Sequence, residues 1–262
     1  MRDFYDVLAA YYDGLQEDIN PNKWASFIHE LATKYRTSAG EGEGGAPILV
    51  DLGCGSGRIT TELATKFGYE AIGIDRSFEM LNKAREYSAE TAPDILWLNQ
   101  DITDYELYGA ADVFISTLDT INHITDEKLI DKLFASFVNY MATGAVFIFD
   151  IGTKKHFAET LGDNVFFQDD EDYTLLWANS YEEDTGMSLS EMTIFYTEDG
   201  RNYKRTDGVI KERYYSVDYL AEIAAKYGLK LEAVTTDLED KPETSEEERI
   251  FVVFRRITEY GK

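Results

Sequence analysis

Short apolar segments alternate with amphipathic helical segments between residues 48 and 151, and this alternation restricts the fold more than any other feature. The apolar segments are residues 48–52, 71–74, 95–98, 113–116 and 145–151. Between them, apolar residues recur at helical spacing, and one such helix is predicted over residues 126–141. Because strands that are apolar along their whole length must be covered on both faces, the pattern predicts a parallel sheet with helices on either side. The fold class is therefore α/β and doubly wound, or Rossmann-like.

The regions that flank this alternation are of different kinds. Two helices are predicted in the first 36 residues, the second with Asn20 as its cap, and the glycine-rich residues 38–47 are predicted to be a connector. At the other end, a helix over residues 217–227 and two strands are predicted. Those strands are residues 229–235 and 250–257.

After residue 153 the sequence takes on the character of an antiparallel sheet. Four segments have alternating or β-rich composition and are joined by turn-like sequences: residues 165–168, 173–181, 189–196 and 203–210. We therefore predict one α/β domain made of residues 1–156 and 217–262. Residues 157–216 form an inserted antiparallel β cap, which we expect on the substrate side.

The charge and the cysteine content limit the partners of the chain. Its 25 basic and 50 acidic residues give a net charge of −25 at pH 7, so nucleic acid and anionic membrane surfaces would be repelled. Cys54 is the single cysteine, which excludes an intrachain disulfide and fits a reducing cytoplasm. No apolar segment has the length of a signal peptide core or a membrane span. We expect a cytoplasmic protein that binds neither nucleic acid nor membrane.

A glycine turn follows the first predicted strand of the sheet. Gly53, Gly55 and Gly57 come directly after Asp51 and Leu52, and a helix begins behind them. Glycines at this point let the backbone turn tightly and let a ligand approach without a Cβ in the way. The unpaired N–H groups of the following helix suit a carboxylate or a phosphate.

An acidic residue at the end of the second predicted strand supports a nucleotide site. Asp75 lies about twenty residues after the first glycine, which is where an acid binds ribose hydroxyls in doubly wound folds. A dinucleotide fingerprint requires a further glycine at position 58, but Arg58 stands there. The G-x-G-x-G spacing behind an acid instead resembles motif I of the class I S-adenosylmethionine-dependent methyltransferases.

This resemblance implies a seven-stranded, mostly parallel sheet with its last strand antiparallel, and S-adenosylmethionine as the cofactor. Asp75 would hold the ribose hydroxyls, and Asp101 with Ile102 would meet the adenine. The segment 116–119, which includes Leu118, would line the methionine end. The cofactor-binding residues that the resemblance implies are Asp51, Gly53, Cys54, Gly55, Gly57, Asp75, Arg76, Met80, Asp101, Ile102 and Leu118.

A narrower resemblance involves the first helix. Residues 5–13 are similar to the Y-x-x-h-A-x-x-Y-D opening (h, hydrophobic) of small bacterial methyltransferases, which also carry a β-rich insertion after the fifth strand. It implies that Tyr12 and Trp24 form a lid over the methionine part of the cofactor. His123 falls where the acceptor would approach, so His123 and Tyr12 are the candidates to accept or relay its proton. Cys54 lacks a neighbouring histidine in the sequence and is not expected to act as a nucleophile.

The predicted activity is transfer of a methyl group to a nitrogen or oxygen atom of a small molecule. No H-x-H, H-E-x-x-H or C-x-x-C spacing predicts a metal site. Two other functions stay open on the sequence alone: a cofactor-binding sensor or interaction protein that has lost catalysis, and, with less support, an NAD-dependent oxidoreductase. The sequence does not identify the acceptor or the oligomeric state.

Overall fold

The fold was analysed in a computed structural model, which describes residues 4–16, 18–38, 45–236, 238–242 and 246–258. Residues 39–44 of the predicted connector and the side chain of Asp13 in the opening motif lie outside the described residues.

The helices and strands follow the predicted order closely. They are α1 (Phe4–Leu15), α2 (Pro21–Tyr35), β1 (Ile48–Leu52), α3 (Arg58–Phe67), β2 (Glu70–Asp75), α4 (Phe78–Ser88), β3 (Leu96–Asn99), β4 (Ala111–Ser116), α5 (Glu127–Val138), β5 (Met141–Gly152), a π-helical turn (His156–Leu161), β6 (Val165–Asp169), β7 (Tyr173–Glu182), β8 (Met187–Thr197), β9 (Tyr203–Arg213), α6 (Val217–Lys226), β10 (Leu229–Thr236), β11 (Glu239–Pro242) and β12 (Arg249–Arg256). None of the helices in the described ranges is long and apolar enough to cross a membrane.

The main sheet has the strand order β11-β10-β12-β5-β4-β1-β2-β3. Strands β3, β2, β1, β4 and β5 are parallel, and β12 runs antiparallel between β5 and β10. The predicted seven-stranded, mostly parallel sheet with an antiparallel last strand is therefore confirmed. The short edge strand β11, which pairs with β10, adds an eighth strand that the acidic sequence around it did not predict.

Two apolar layers cover the main sheet. On one face, α5 and α6 bury large side chains such as Phe134, Phe137 and Leu220, and on the other face α2, α3 and α4 bury Trp24 and Leu63 among others. The predicted helix over residues 126–141 is too long. It ends at Val138, and Met141 already belongs to β5.

The second sheet is purely antiparallel and has the order β6-β7-β8-β9. Its strands match the four segments predicted between residues 165 and 210, and β9 continues to Arg213. Helix α1 packs on this sheet, where Phe4 and Val7 join a separate apolar cluster with Tyr173 and Ile194. The first helix therefore belongs with the second sheet, although it is distant from it in sequence.

Candidate functional site

The glycine turn ties the end of β1 to the end of β2. Gly53, Gly55 and Gly57 have φ angles of 80°, 52° and 71°, which L-residues with a side chain rarely adopt. The N–H groups of Gly53 and Cys54 both donate to the Ile74 carbonyl oxygen, at 2.8 and 3.0 Å. The turn is thus fixed by the backbone of β2.

The three glycines are needed for different reasons. A Cβ on Gly53 would lie 2.4 Å from Thr120, and a Cβ on Gly57 would lie 2.4 Å from Trp97, so both positions are closed by packing. A Cβ on Gly55 would meet no atom within 4 Å. Gly55 is therefore the glycine that faces open space.

That space is a cleft of about 480 Å³ at the carboxyl ends of the parallel strands. It is lined by Tyr12, Gln16, Ile19, Pro21, Gly53, Cys54, Gly55, Ser56, Arg58, Ile59, Thr117, Leu118 and Thr120. Of the predicted cofactor-binding residues other than the glycines, Tyr12, Cys54 and Leu118 lie at its wall. Trp24 does not: it is only 2% exposed, its ring lies 5.2 Å from that of Phe251, and it belongs to the core.

Asp75 fixes the rim of this cleft. Its Oδ2 accepts the N–H of Gly55 at 2.9 Å and its Oδ1 accepts the N–H of Ser77 at 2.8 Å. Burial raises the pKa of Asp75, while these backbone hydrogen bonds act in the opposite direction. Two backbone N–H groups therefore hold the Asp75 carboxylate next to Gly55.

Asp51 lies beneath the turn and is 1% exposed. The hydroxyl of Thr60 donates to its Oδ2, whereas its Oδ1 is buried with no hydrogen-bond partner among the described residues. Burial raises the pKa of Asp51 to about 7, and the nearby charge of Asp75 adds to the effect. A buried acceptor without a donor carries a free-energy cost that a ligand with N–H groups would relieve.

Asp101 lies beyond the end of β3 and is exposed to solvent. Its Oδ1 accepts both the backbone N–H and the hydroxyl of Thr103, each at 2.8 Å. Burial acts to raise the pKa of Asp101, but these hydrogen bonds and the charge of Arg76 bring it below the usual value. Of the remaining predicted contacts, Arg76 is exposed, and Met80 and Ile102 are partly buried.

A second group of charged residues, which the sequence did not predict as a unit, adjoins the cleft through Leu118 and Asp119. These two residues have φ angles of 58° and 60°, and their N–H groups donate to Oδ1 and Oδ2 of Asp150, at 2.7 and 3.2 Å. Arg249, from β12, binds Asp150 at 2.6 Å and Asp119 at 2.9 Å. Burial raises the pKa of Asp150 to about 7, and the positive charge of Arg249 opposes that rise.

His123 and Glu212 complete this group. Nε2 of His123 lies 3.9 Å from Oε1 of Glu212, and desolvation by the surrounding protein lowers the pKa of His123, although 44% of its side chain is exposed. Burial also raises the pKa of Glu212 to about 8, with a contribution from the negative charge of Asp119. The sequence offered a signal for Asp150, which ends an apolar strand as Asp51 and Asp75 do. It offered none for Glu212, which comes from the second sheet.

Comparison of sequences relates the chain to methyltransferases. The family model described as "Methyltransferase domain" matches residues 49–144, a range that contains the glycine turn, Asp51 and Asp75. "Putative methyltransferase YqeM" of Bacillus subtilis (strain 168) is 28% identical over 249 residues, which are 94% of this chain and 95% of the relative.

Solved structures extend the similarity over both sheets. An S-adenosylmethionine-dependent methyltransferase from Clostridium acetobutylicum ATCC 824 is 26% identical and has a TM-score of 0.82, with 96% of this chain and 98% of that chain covered. CalS10, an amino pentose methyltransferase from Micromonospora echinaspora, has a TM-score of 0.71 with 98% of this chain and 99% of that chain covered. At 15% identity, the likeness to CalS10 concerns the fold alone.

Proposed function

Because the chain is a class I S-adenosylmethionine-dependent methyltransferase, we propose that it methylates a nitrogen or oxygen atom of a small molecule. The observation that carries this proposal is the open cleft at Gly55, which has an acid at its rim, Asp75, and an unsatisfied acid beneath it, Asp51. The charged group around Asp119 adjoins the same cleft and supplies polar side chains where an acceptor would enter.

The residues around the cleft fit the parts of S-adenosylmethionine. Asp75 would accept hydrogen bonds from the ribose hydroxyls, and Asp101 would accept one from the adenine amino group, with Arg76, Met80 and Ile102 beside the adenosine. At the methionine end, Oδ1 of Asp51 would accept a hydrogen bond from the amino group, directly or through water, and the glycine turn would leave room for the methionine chain. Leu118 and Tyr12 close this end of the cleft. When bound, the cofactor supplies a methyl group that its sulfonium sulfur already activates.

The protein contributes chiefly orientation and proton transfer. Holding the acceptor in line with the methyl group can lower the barrier by roughly 7–11 kcal/mol. An amine or hydroxyl acceptor must also lose a proton, and we assign its removal to His123 or Tyr12. A lowered pKa keeps the His123 imidazole neutral at pH 7, which is the form that accepts a proton.

The acceptor enters between the two sheets in this proposal. Residues 157–216 form a cap domain on the remainder of the chain, residues 1–156 and 217–262, and its strand β9 brings Glu212 towards the loop after β4. The acidic surroundings favour a neutral or cationic small molecule over a polyanion. That CalS10 is an amino pentose methyltransferase agrees with an amine acceptor. The single, buried thiol of Cys54 supports a cytoplasmic location.

Isothermal titration calorimetry tests the cofactor site directly. We expect S-adenosylmethionine and S-adenosylhomocysteine to bind, and NADH, the control, not to bind. A screen of small amines and alcohols, read by formation of S-adenosylhomocysteine, would then identify the acceptor. Failure of both adenosyl ligands to bind the folded protein would overturn the site assignment, and binding without turnover on any acceptor class would count against the small-molecule proposal.

A further inference from the structure

The carboxylate of Glu212 is partly buried and has no hydrogen-bond partner in the described part of the chain. Its side chain is only 14% exposed, and its oxygens make no hydrogen bond to any residue in the described ranges. Nε2 of His123 lies 3.9 Å from Oε1 of Glu212, which is too far for a hydrogen bond. A partly buried carboxylate that receives no hydrogen bond from the protein is available to a ligand.

The position of Glu212 relative to the cleft is fixed by its neighbour in the sequence. The N–H of Arg213 donates to the carbonyl oxygen of Asn122 at 2.8 Å, and the amide of Asn122 donates to the carbonyl oxygen of Arg213 at 2.8 Å. The Oδ1 of the fully buried Asn122 also accepts the N–H of Gly152, at 3.0 Å. Asn122 thus joins the end of β9, the end of β5 and the loop that carries Leu118.

The charges around Glu212 leave an excess of negative charge. Asp119 and His123 approach it from the loop after β4, and Arg249 approaches from β12. Arg249 is the one positive charge among these groups at neutral pH, and it already binds Oδ2 of Asp150 and Oδ2 of Asp119. In addition, Oδ1 of Asp119 is buried and has no hydrogen-bond partner among the described residues. Oδ1 of Asp119 and both oxygens of Glu212 therefore receive no hydrogen bond from the described residues, and Arg249 is shared among three carboxylates.

We propose that Glu212 and Asp119 form the acceptor subsite, that they bind the protonated amine of the acceptor, and that Glu212 removes one of its protons. The inference rests on the proposed function, narrows it to an amine acceptor, and makes Glu212 the first group to take the proton, with His123 as the relay. One N–H proton of the ammonium passes to a Glu212 oxygen, and the freed lone pair then forms the N–C bond as the sulfonium S–C bond breaks. Positive charge is thereby moved from sulfur to nitrogen, and Glu212 later releases its proton to solvent.

The pKa of Glu212 agrees with both parts of this role. Burial raises it to about 8 without a ligand, and an adjacent ammonium favours the charged carboxylate. After the ammonium has lost its proton, the same burial favours the protonated form. The His123 imidazole lies beside Glu212, where it can relay the proton onwards.

Sinefungin is a probe that does not require the acceptor to be known. It is an analogue of S-adenosylmethionine in which a carbon bearing a charged amine replaces the sulfur and its methyl group, whereas S-adenosylhomocysteine has no charge there. The ratio of the two dissociation constants, measured by calorimetry at pH 7.5, therefore reports on a cation at the point of transfer. The variants are Glu212→Gln and Asp119→Asn, and Glu191→Gln, on the exposed face of β8, is the matched control.

We expect Glu212→Gln to weaken the binding of sinefungin about tenfold or more. The affinity for S-adenosylhomocysteine should change less than about twofold, because the charge-assisted hydrogen bond is lost only in the sinefungin complex. Asp119→Asn should act in the same direction, and Glu191→Gln should change neither ligand. Equal changes for both ligands in Glu212→Gln, or none, would overturn the subsite. If the unaltered protein binds neither ligand, it is the proposed function itself that fails.

Discussion

Nη1 of Arg249 lies 2.6 Å from Oδ2 of Asp150, a residue that is completely buried at the end of β5. The same carboxylate accepts the N–H groups of Leu118 and Asp119, whose left-handed backbone it holds in place. The central carbon of the guanidinium lies 5.3 Å from the centroid of the Trp24 ring. One ion pair therefore sets the shape of the loop that forms the wall of the cleft.

Removing the cation from this pair should destabilise the protein strongly. In Arg249→Met the Asp150 carboxylate stays buried without its counter-charge, and we expect a loss of about 3 kcal/mol in the free energy of unfolding. The double variant Arg249→Met/Asp150→Asn, which removes both charges, should recover a large part of that loss. Urea denaturation at pH 7 measures both. If the double variant is as unstable as the single one, the pairing of the charges is not what stabilises the loop.

Substituting alanine for Gly55 should weaken cofactor binding, whereas the same substitution at Gly57 should mainly lower stability. Gly55→Ala places a methyl group in the open cleft, so we expect about tenfold weaker binding of S-adenosylmethionine and a stability loss of about 1 kcal/mol from the positive φ. Gly57→Ala drives its Cβ to 2.4 Å from Trp97 and should cost about 3 kcal/mol of stability.

Gly200→Ala is the control for the backbone strain in that comparison. Gly200 has a φ of 67° and open space around it, but it lies in the turn between β8 and β9, outside the cleft. We expect it to lose about as much stability as Gly55→Ala and to bind S-adenosylmethionine normally. Equal affinities in the Gly55 and Gly200 variants would show that Gly55 does not face the ligand.

Asp51 should make the protein less stable as the pH rises. Its pKa is about 7 in the folded protein and near the usual 3.8 in the unfolded chain, so between these values the folded state binds more protons. The free energy of unfolding therefore falls from pH 4 to pH 7 by up to about 4 kcal/mol on account of this one residue.

The Asp51→Asn variant lacks that dependence, and the comparison isolates Asp51 from Asp150 and Glu212, which titrate in a similar range. We expect the two proteins to be about equally stable at pH 4.5 and the variant to be more stable at pH 8, as measured by urea denaturation. Parallel pH curves for the two proteins would rule out a strongly shifted Asp51.

The strands and the cofactor side of the site could be predicted because they depend on local patterns. Apolar periodicity located β1 and β2, and the acids at their ends, Asp51 and Asp75, follow directly from where those strands end. Trp24 shows the limit: helical spacing places it on the apolar face of α2, but which apolar residues reach a cleft depends on tertiary packing. Glu212 shows this limit more clearly. Strand β9 brings Glu212 next to His123, which is 89 residues away in the sequence, and no local pattern specifies that contact.

Adenosine can separate the two ends of the cofactor site, since it has the ribose and the adenine but no methionine part. If Asp75 holds the ribose, Asp75→Asn should weaken the binding of adenosine and of S-adenosylhomocysteine alike, by about tenfold or more. The reason is that a charge-assisted hydrogen bond is lost in both complexes. Asp51→Asn should weaken S-adenosylhomocysteine and leave adenosine within about twofold. Asp94→Asn, at an exposed position between α4 and β3, controls for the loss of one negative charge from this acidic chain. Calorimetry with both ligands on the three variants measures these affinities. If Asp51→Asn weakens the binding of adenosine as much as that of S-adenosylhomocysteine, the unpartnered oxygen of Asp51 supports the glycine turn rather than the methionine amino group. The assignment of Asp51 to the cofactor site would then be wrong.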